Sequence, residues 1–367
     1  MFEPLSIYSP THFDASSNIF WVTIAAGIAV GIVLTIIAMY FFSRLSKTPV
    51  PRGLTPIPEG GSAFLEEMNE SLLIDNIELQ NQTERLNLEN KILTTFSEEI
   101  DQKRKQIELQ QKEISSSINY ASVIQNALFP SEQFLNEMFN DYFIFFKPRD
   151  TVSGDFYYVR RYRSKTVLVI ADCTGHGVPG AFLSVLGFSL LEQTLATVDN
   201  DSAAVLMSRL RRIFKATLGQ NRLQNTNRDS IDMGLIVIDS QLGQLNFSGA
   251  NNDLFFVRSG QEPLICRGDR MPVGVHENDF VPFRDYYLPY LSGDSIYMYT
   301  DGYPDQFGGH AGRKYGKRKF KDFLHYIYDL PMTQQKHALE ANLSEWMYDQ
   351  SSEMFQVDDI LVAGVRL

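Results

Sequence analysis

Hydrophobic and polar positions follow three different rules along this chain. From Ile19 to Phe42 the sequence IFWVTIAAGIAVGIVLTIIAMYFF carries no charge, and the uncharged stretch is bounded by Asp14 and Arg44. At about 1.5 Å rise per residue, a helix of that length crosses the roughly 30 Å of a bilayer's hydrocarbon core. Trp21 and Tyr40 lie near its ends, as interfacial anchors do. Glu3 and Asp14 precede it, whereas Arg44, Lys47 and Arg52 follow. The positive-inside rule therefore predicts one retained span at 19–42, a short extracytoplasmic segment at 1–18, and the rest of the chain in the cytoplasm. A cleaved signal peptide is the competing reading, but the basic n-region is missing and the apolar run is too long.

Residues 43–61 hold Pro49, Pro51, Gly53, Pro56, Pro58, Gly60 and Gly61, a linker that cannot continue a helix. The second rule begins after it. Leu65, Leu72, Leu79, Leu86, Leu93, Ile100, Ile107 and Ile114 recur every seventh residue without an intervening proline or glycine. That period predicts a left-handed coiled coil within 62–129. With this series at d, position a holds Asn69, Asn76, Thr83, Asn90, Ser97 and Arg104, a polar set that favours a weak homodimer. A single solvated helix with one apolar stripe is the alternative.

Beyond Pro130 the period shortens to that of strands. Strands are expected at 142–146, 156–160, 166–171, 233–238, 245–248, 254–258, 295–300 and 360–366, and helices at 180–197, 202–218, 317–328 and 333–349. Turn residues at 239–243 and 259–260 join neighbouring strands as hairpins. Mostly antiparallel strands with helices grouped between them predict an α+β layered domain over 130–367.

Composition narrows the chemistry only a little. With 44% apolar residues among 367, the chain can bury a full core, and a net charge of −11 gives no basic surface for nucleic acid. Cys173 and Cys266 fit neither a zinc spacing nor a disulfide framework. No cation adjacent in sequence activates the Cys173 thiol.

Four acidic positions stand where expected strands begin or end: Asp155 in Ser153-Gly154-Asp155, Asp172 in Ala171-Asp172-Cys173, Asp301 in Thr300-Asp301-Gly302, and Asp358 in Asp358-Asp359-Ile360. Carboxylates at strand ends beside glycine suit hard oxygen-seeking cations, and two such ions can activate water for in-line displacement without a side-chain nucleophile. Each position alone is equally an ordinary turn or strand cap.

Their order, carried by VSGDFY, VIADCTGHGVPGAF, FSGANNDLFFV, MPVGV, YMYTDGYPDQFGG and VDDILVAGVRL, resembles the PPM-type (PP2C-like) metal-dependent serine/threonine phosphatases. The similarity is to the bacterial branch that includes SpoIIE and RsbU, and it covers roughly 134–367. It implies an α/β/β/α sandwich of two antiparallel sheets flanked by helices, and a cofactor of two divalent cations, Mn2+ or Mg2+. It implies Asp155 and Asp172 as central ligands, with Asp172 bridging the ions, Asp301 and Asp358 completing one shell, and the backbone carbonyl of Cys173 as a further donor. The substrate it implies is a phosphoprotein. The family also implies that the helical segment just before the domain, here 118–128, adjusts the metal site.

Two departures leave roles open. Eukaryotic members place a histidine two residues after the bridging aspartate; here that residue is Thr174, and His176 lies two further on, as a proton donor or simply as part of a loop opening a helix. Arg149 is the candidate substrate-binding cation, with a surface role as the alternative. The basic run from Arg313 to Lys319 is either a solvated face or a receiver of an anionic partner. Asn251-Asn252 is explained by a hairpin turn. A catalytically degenerate scaffold and a histidine kinase are the rival classes; all four acids are present, and the coil lacks a histidine.

Overall fold

The computed structural model describes residues 61–199, 202–220, 227–349 and 352–367. The expected membrane span and the linker up to residue 60 lie outside the described residues. Contacts divide the chain into a unit ending at Glu98 and a second unit, Glu99–Leu367.

A single helix, α1, runs from Gly61 to Leu128. Its seven-residue Leu/Ile series, from Leu65 to Ile114, is exposed throughout in the single chain. Within the second unit its last turns pack on the globular domain, where Gln125 is buried. A short helix, α2 (Glu132–Met138), follows, with Ser131 capping its first turn through the Phe134 amide.

The remaining residues form two antiparallel sheets. The first has β1 (Asp141–Lys147), β15 (Ile360–Arg366), β10 (Ser295–Tyr299), β6 (Leu254–Val257) and β7 (Leu264–Cys266), side by side in that order. The second has β2 (Phe156–Tyr162), β3 (Lys165–Cys173), β4 (Ser230–Asp239), β5 (Gln244–Ala250) and β9 (Tyr286–Pro289), with the short β8 (Val273–Gly274) paired to β4. Side-chain alternation assigns each strand two faces. Leu168, Ile170, Ile236, Ile238 and Phe247 of the second sheet meet Phe256, Ile296, Met298, Leu361 and Ala363 of the first in one apolar layer. On the far side of the second sheet, Phe156, Tyr158, Val167, Val169 and Met233 pack under helices α3 (Gly177–Thr197) and α4 (Ala203–Thr217). On the far side of the first, Phe143, Tyr297, Tyr299 and Val362 pack with α6 (Lys317–Ile327) and α7 (Met332–Met347). The result is the expected α/β/β/α sandwich.

Because helices cover both sheets, central strands are apolar on both faces, which is why KTVLVIADC reads as a nearly continuous hydrophobic run. Helix α3 is apolar enough by length and composition to span a membrane, yet half of its apolar window is buried and it belongs to the core beneath the second sheet. Elements unmarked by periodicity are the short ones: a one-turn helix, α5 (Gly302–Asp305), and the two-residue pairs β11 (Phe307–Gly308) with β12 (Arg313–Lys314), and β13 (Tyr348–Asp349) with β14 (Ser352–Glu353).

Ile236 is fully buried between the sheets and away from the acidic positions. Its replacement by alanine is expected to lower stability by about 3 kcal/mol, read as a reduced urea midpoint with an unchanged slope.

Candidate active site

The apolar layer between the sheets ends in carboxylates. On β3, Leu168 and Ile170 point into the layer, so Asp172, two residues on, faces the same gap at its open end. Directly across the ladder its partner is Asp232, which shares its face of β4 with Ile236. On β2, Tyr157 and Val159 face the layer, and Asp155 precedes them at the matching position. Thr300 extends the Ile296 and Met298 face of β10, while Asp359 extends that of Leu361 on β15. Strand ends from both sheets thus converge on one rim.

Asp155 is 1% exposed and takes a 2.6 Å hydrogen bond from the Thr300 hydroxyl. Thr300 is fixed in turn, since its Oγ1 accepts from the Leu361 amide at 3.0 Å. The loop carrying Asp155 is pinned by Asp359, whose carboxylate accepts from the Arg149 amide and the Gly154 amide, both at 2.8 Å. Glycine is required at 154: a Cβ there would stand 2.6 Å from the Gly175 carbonyl oxygen, so any side chain would separate the two loops. Gly302 is as confined, with the Asp359 carbonyl oxygen 1.9 Å from the place of a Cβ.

Asp172, Asp232 and Asp301 line a cavity of about 100 Å3 together with Asn251, Thr300 and Lys317. An adjoining cavity of about 340 Å3 is bounded by Asp172, Cys173, His176, Asp301 and Asp358. Burial, then repulsion from Asp172, raises the Asp155 carboxyl well above its ordinary range, with the Thr300 hydrogen bond opposing. Asp172 is pushed up to about 8 by burial and by Asp301 and Asp358. Asp301 opens to solvent, yet partial desolvation, then Asp305 and Asp358, still push it up, while Lys317 and Lys314 oppose. Asp358 is raised by burial and Asp359 against the pull of Arg149 and His176. Asp232 is raised by burial and Asp301 against Asn251 and Lys317.

Such crowding fits a cation centre, because carboxylates held at this spacing repel unless positive charge lies between them. Among the described residues, no three carboxylate, imidazole or thiol groups close around one point as a metal cage. The acids instead rim open space, an arrangement suited to hard cations that retain several waters.

All four acids named from the sequence are brought together, with Asp155 buried behind the other three. The Cys173 side chain belongs to the apolar core and its thiol is raised well above its usual range by burial, leaving the residue's main chain at the cavity wall. The Arg149 guanidinium donates to the Val357 carbonyl at 3.0 Å and lies 2.6 Å from His176 Nδ1. The same Nδ1 lies 3.3 Å from Asp150 Oδ2, so whether it accepts from Arg149 or donates to Asp150 depends on the tautomer. His176 occupies the N-cap position of α3 without capping it through its side chain. Thr174 accepts from the Ser230 amide and donates to Asp229, so it braces the loop.

Periodicity missed Asp232 because the expected strand began one residue later, at Met233. No glycine stands next to it, since the nearest is Gly234 in Asp232-Met233-Gly234. The Asn251-Asn252 pair also has work beyond a turn: Asn251, at φ +54°, donates to Asp232 at 2.9 Å, and Asn252 donates to the Tyr299 carbonyl at 2.7 Å.

A raised carboxyl means that the folded chain holds protons which the unfolded chain has already released, so stability falls as pH rises from the ordinary carboxylate range toward 8. Metal-free Asp172→Asn is therefore expected to be more stable than wild type at pH 8, on the order of 2 kcal/mol, with the two converging near pH 4. Parallel stability curves across that range would contradict the charge crowding.

Comparison with known proteins bears on what this rim belongs to. Residues 163–367 match the family model for stage II sporulation protein E (SpoIIE). A search of curated proteins returned no match. Among solved structures, the SiaA PP2C domain of Pseudomonas aeruginosa is 32% identical, with a TM-score of 0.62, covering 70% of this chain and 98% of that one. The SpoIIE phosphatase domain with a regulatory fragment from Bacillus subtilis is 20% identical, with a TM-score of 0.47, covering 62% of each chain. The PstP catalytic domain in complex with two manganese ions is 13% identical, with a TM-score of 0.42, covering 61% of this chain and 96% of that one. The chain belongs to the SpoIIE family, in the SpoIIE/RsbU branch of PPM-type (PP2C-like) serine/threonine phosphatases.

Proposed function

We propose that the chain is a membrane-anchored protein phosphatase that removes phosphate from serine or threonine of a cytoplasmic signalling protein, with an anti-anti-sigma-type regulator as a candidate substrate. The observation that carries this reading is the convergence of Asp155, Asp172, Asp301 and Asp358 at one end of the inter-sheet layer. These residues, with the main-chain carbonyl of Cys173, would hold two divalent cations, Mn2+ or Mg2+. When bound, such a pair supplies a nucleophilic water near neutral pH and offsets charge on the transferring phosphoryl group. Asp155, buried and hydrogen-bonded to Thr300, holds the deepest donor in position. Asp359 fixes the loop that presents it. Arg149, oriented by Val357 and His176, supplies positive charge on the Asp358 side of the cavity. His176 lines the same cavity and is the candidate to protonate the departing seryl oxygen.

The anchor is the apolar segment at 19–42, and the coil is α1, whose exposed Leu/Ile series we assign to a parallel homodimer. Coupling to the site has a physical route. Gln125, in the last turns of α1, donates to the Ser153 carbonyl at 2.6 Å and accepts from the Ser153 amide at 3.1 Å. It also donates to Ser184 on α3 at 2.7 Å. Two residues after Ser153 stands Asp155.

Mn2+-dependent phosphate release from a phosphoserine protein tests the activity. Asp172→Asn and Asp301→Asn are expected to lower it at least about 100-fold and to abolish thermal stabilisation by Mn2+; equal rates in all three proteins would leave only the scaffold reading. Removing every residue before Ser131 is expected to give a monomer by sedimentation with turnover reduced about tenfold. Unchanged activity and unchanged oligomeric state would reject the coil as a transmitter.

A further inference from the structure

We propose that Lys317 binds the substrate's phosphoryl group from the rim opposite Arg149, and so selects phosphomonoester dianions. This assignment rests on the phosphatase reading above. Lys317 is the first residue of α6, and it lines the 100 Å3 cavity with Asp172, Asp232 and Asp301. It also lines an outer groove of about 440 Å3 with Pro263, Ile265 and Lys321. The residue therefore stands where a phosphorylated side chain passes from the protein surface to the acidic rim.

Most of its basic neighbours are already engaged, and Arg313, which among the described residues is not, lines neither cavity. Lys314 Nζ pairs with Asp305 at 2.7 Å, and Lys321 Nζ pairs with Asp253 at 3.0 Å. Arg318 reaches Asp322 along the helix at 4.0 Å, and Lys319 Nζ lies 3.8 Å from the centre of the Trp346 six-membered face and 4.4 Å from that of Tyr315. Among the described residues, Lys317 has no ion pair within 4.0 Å and no hydrogen-bonded partner, although Asp232 and Asp301 feel its charge. It keeps all three ammonium donors available at the cavity edge.

Charge balance gives this freedom a purpose. Two divalent cations would offset four of the five carboxylate charges of Asp155, Asp172, Asp232, Asp301 and Asp358. A phosphoserine dianion would then approach a centre that is still negative, unless cations on the rim turn the balance. Arg149 contributes charge, but its guanidinium already meets Val357 and His176. Lys317 adds a compact point charge on the other side, with donors to spare for phosphoryl oxygens directed away from the metals. Contact with an oxygen that is charged in both ground and transition states strengthens binding more than it speeds the chemical step.

The test uses the full chain loaded with Mn2+, inorganic phosphate binding followed by titration calorimetry, and steady-state hydrolysis of a phosphoserine peptide. Lys317→Gln is expected to weaken phosphate binding about tenfold and to raise KM by a similar factor, with kcat changed less than about threefold. Lys317→Arg is expected to recover most of the loss, and Arg313→Gln, which removes one charge from the same basic run outside the groove, to match wild type. Phosphate affinity in Lys317→Gln equal to that of an active wild type would overturn the Lys317 assignment and leave the phosphatase reading intact. The same loss in Arg313→Gln would overturn it in favour of a diffuse field. A wild type with neither metal-dependent hydrolysis nor phosphate binding would overturn both readings.

Discussion

Repulsion among carboxylates at the open end of an apolar layer governs the architecture around it. Asp172 and Asp232 face each other across one ladder, Asp155 sits buried behind them, and Asp301 and Asp358 arrive from the other sheet. Like charges directly opposite on paired strands destabilise a sheet, and burial adds a desolvation cost to each. A fold tolerates this only where the surrounding structure leaves the acids no room to splay apart. Here the surrounding structure is the sandwich itself: Ile170, Met298 and Leu361 close the layer immediately behind the rim. Stability in the layer offsets strain at its end.

Polar connections then carry that rigidity to the loops. Asp359 looks like a second member of an acidic pair, yet it is buried and spends both carboxylate oxygens on the amides of Arg149 and Gly154. Thr300 links the first sheet to Asp155, while Asn252 links the loop after β5 to β10. Gly154 and Gly302 allow backbones to approach to distances that a Cβ would forbid. The Asp359 and Thr300 bonds join segments more than a hundred residues apart, so the positions of the acids are set jointly rather than one by one.

The end of α1 enters the same network through Gln125, a buried amide whose hydrogen bonds fall on the Ser153 backbone and on Ser184. Losing or shifting such a residue leaves buried donors and acceptors unpaired, and that energy is felt two residues from Asp155. The end of α1 and the loop that carries Asp155 are thereby joined through a few specific bonds.

Much of this was written in local pattern. Heptad spacing marked the helix through 61–128, short apolar runs marked the long strands, and aspartates at strand ends, in the order of the family's motifs, singled out Asp155, Asp172, Asp301 and Asp358. Each of these is a property of neighbouring residues, and neighbours share a face or a turn wherever the chain later goes. Tertiary structure alone decided the rest. Asp232 became a member of the rim because β4 pairs with β3 in one register, and Asp359 separated from Asp358 in role because adjacent residues point to opposite faces of a strand. Strands of two residues, such as β11 and β12, are too short to show a period, and Lys317 is set apart from Lys314 and Lys319 because, among the described residues, neither a carboxylate nor an aromatic ring holds its ammonium. Local sequence determines which residues can serve; long-range pairing determines which of them meet.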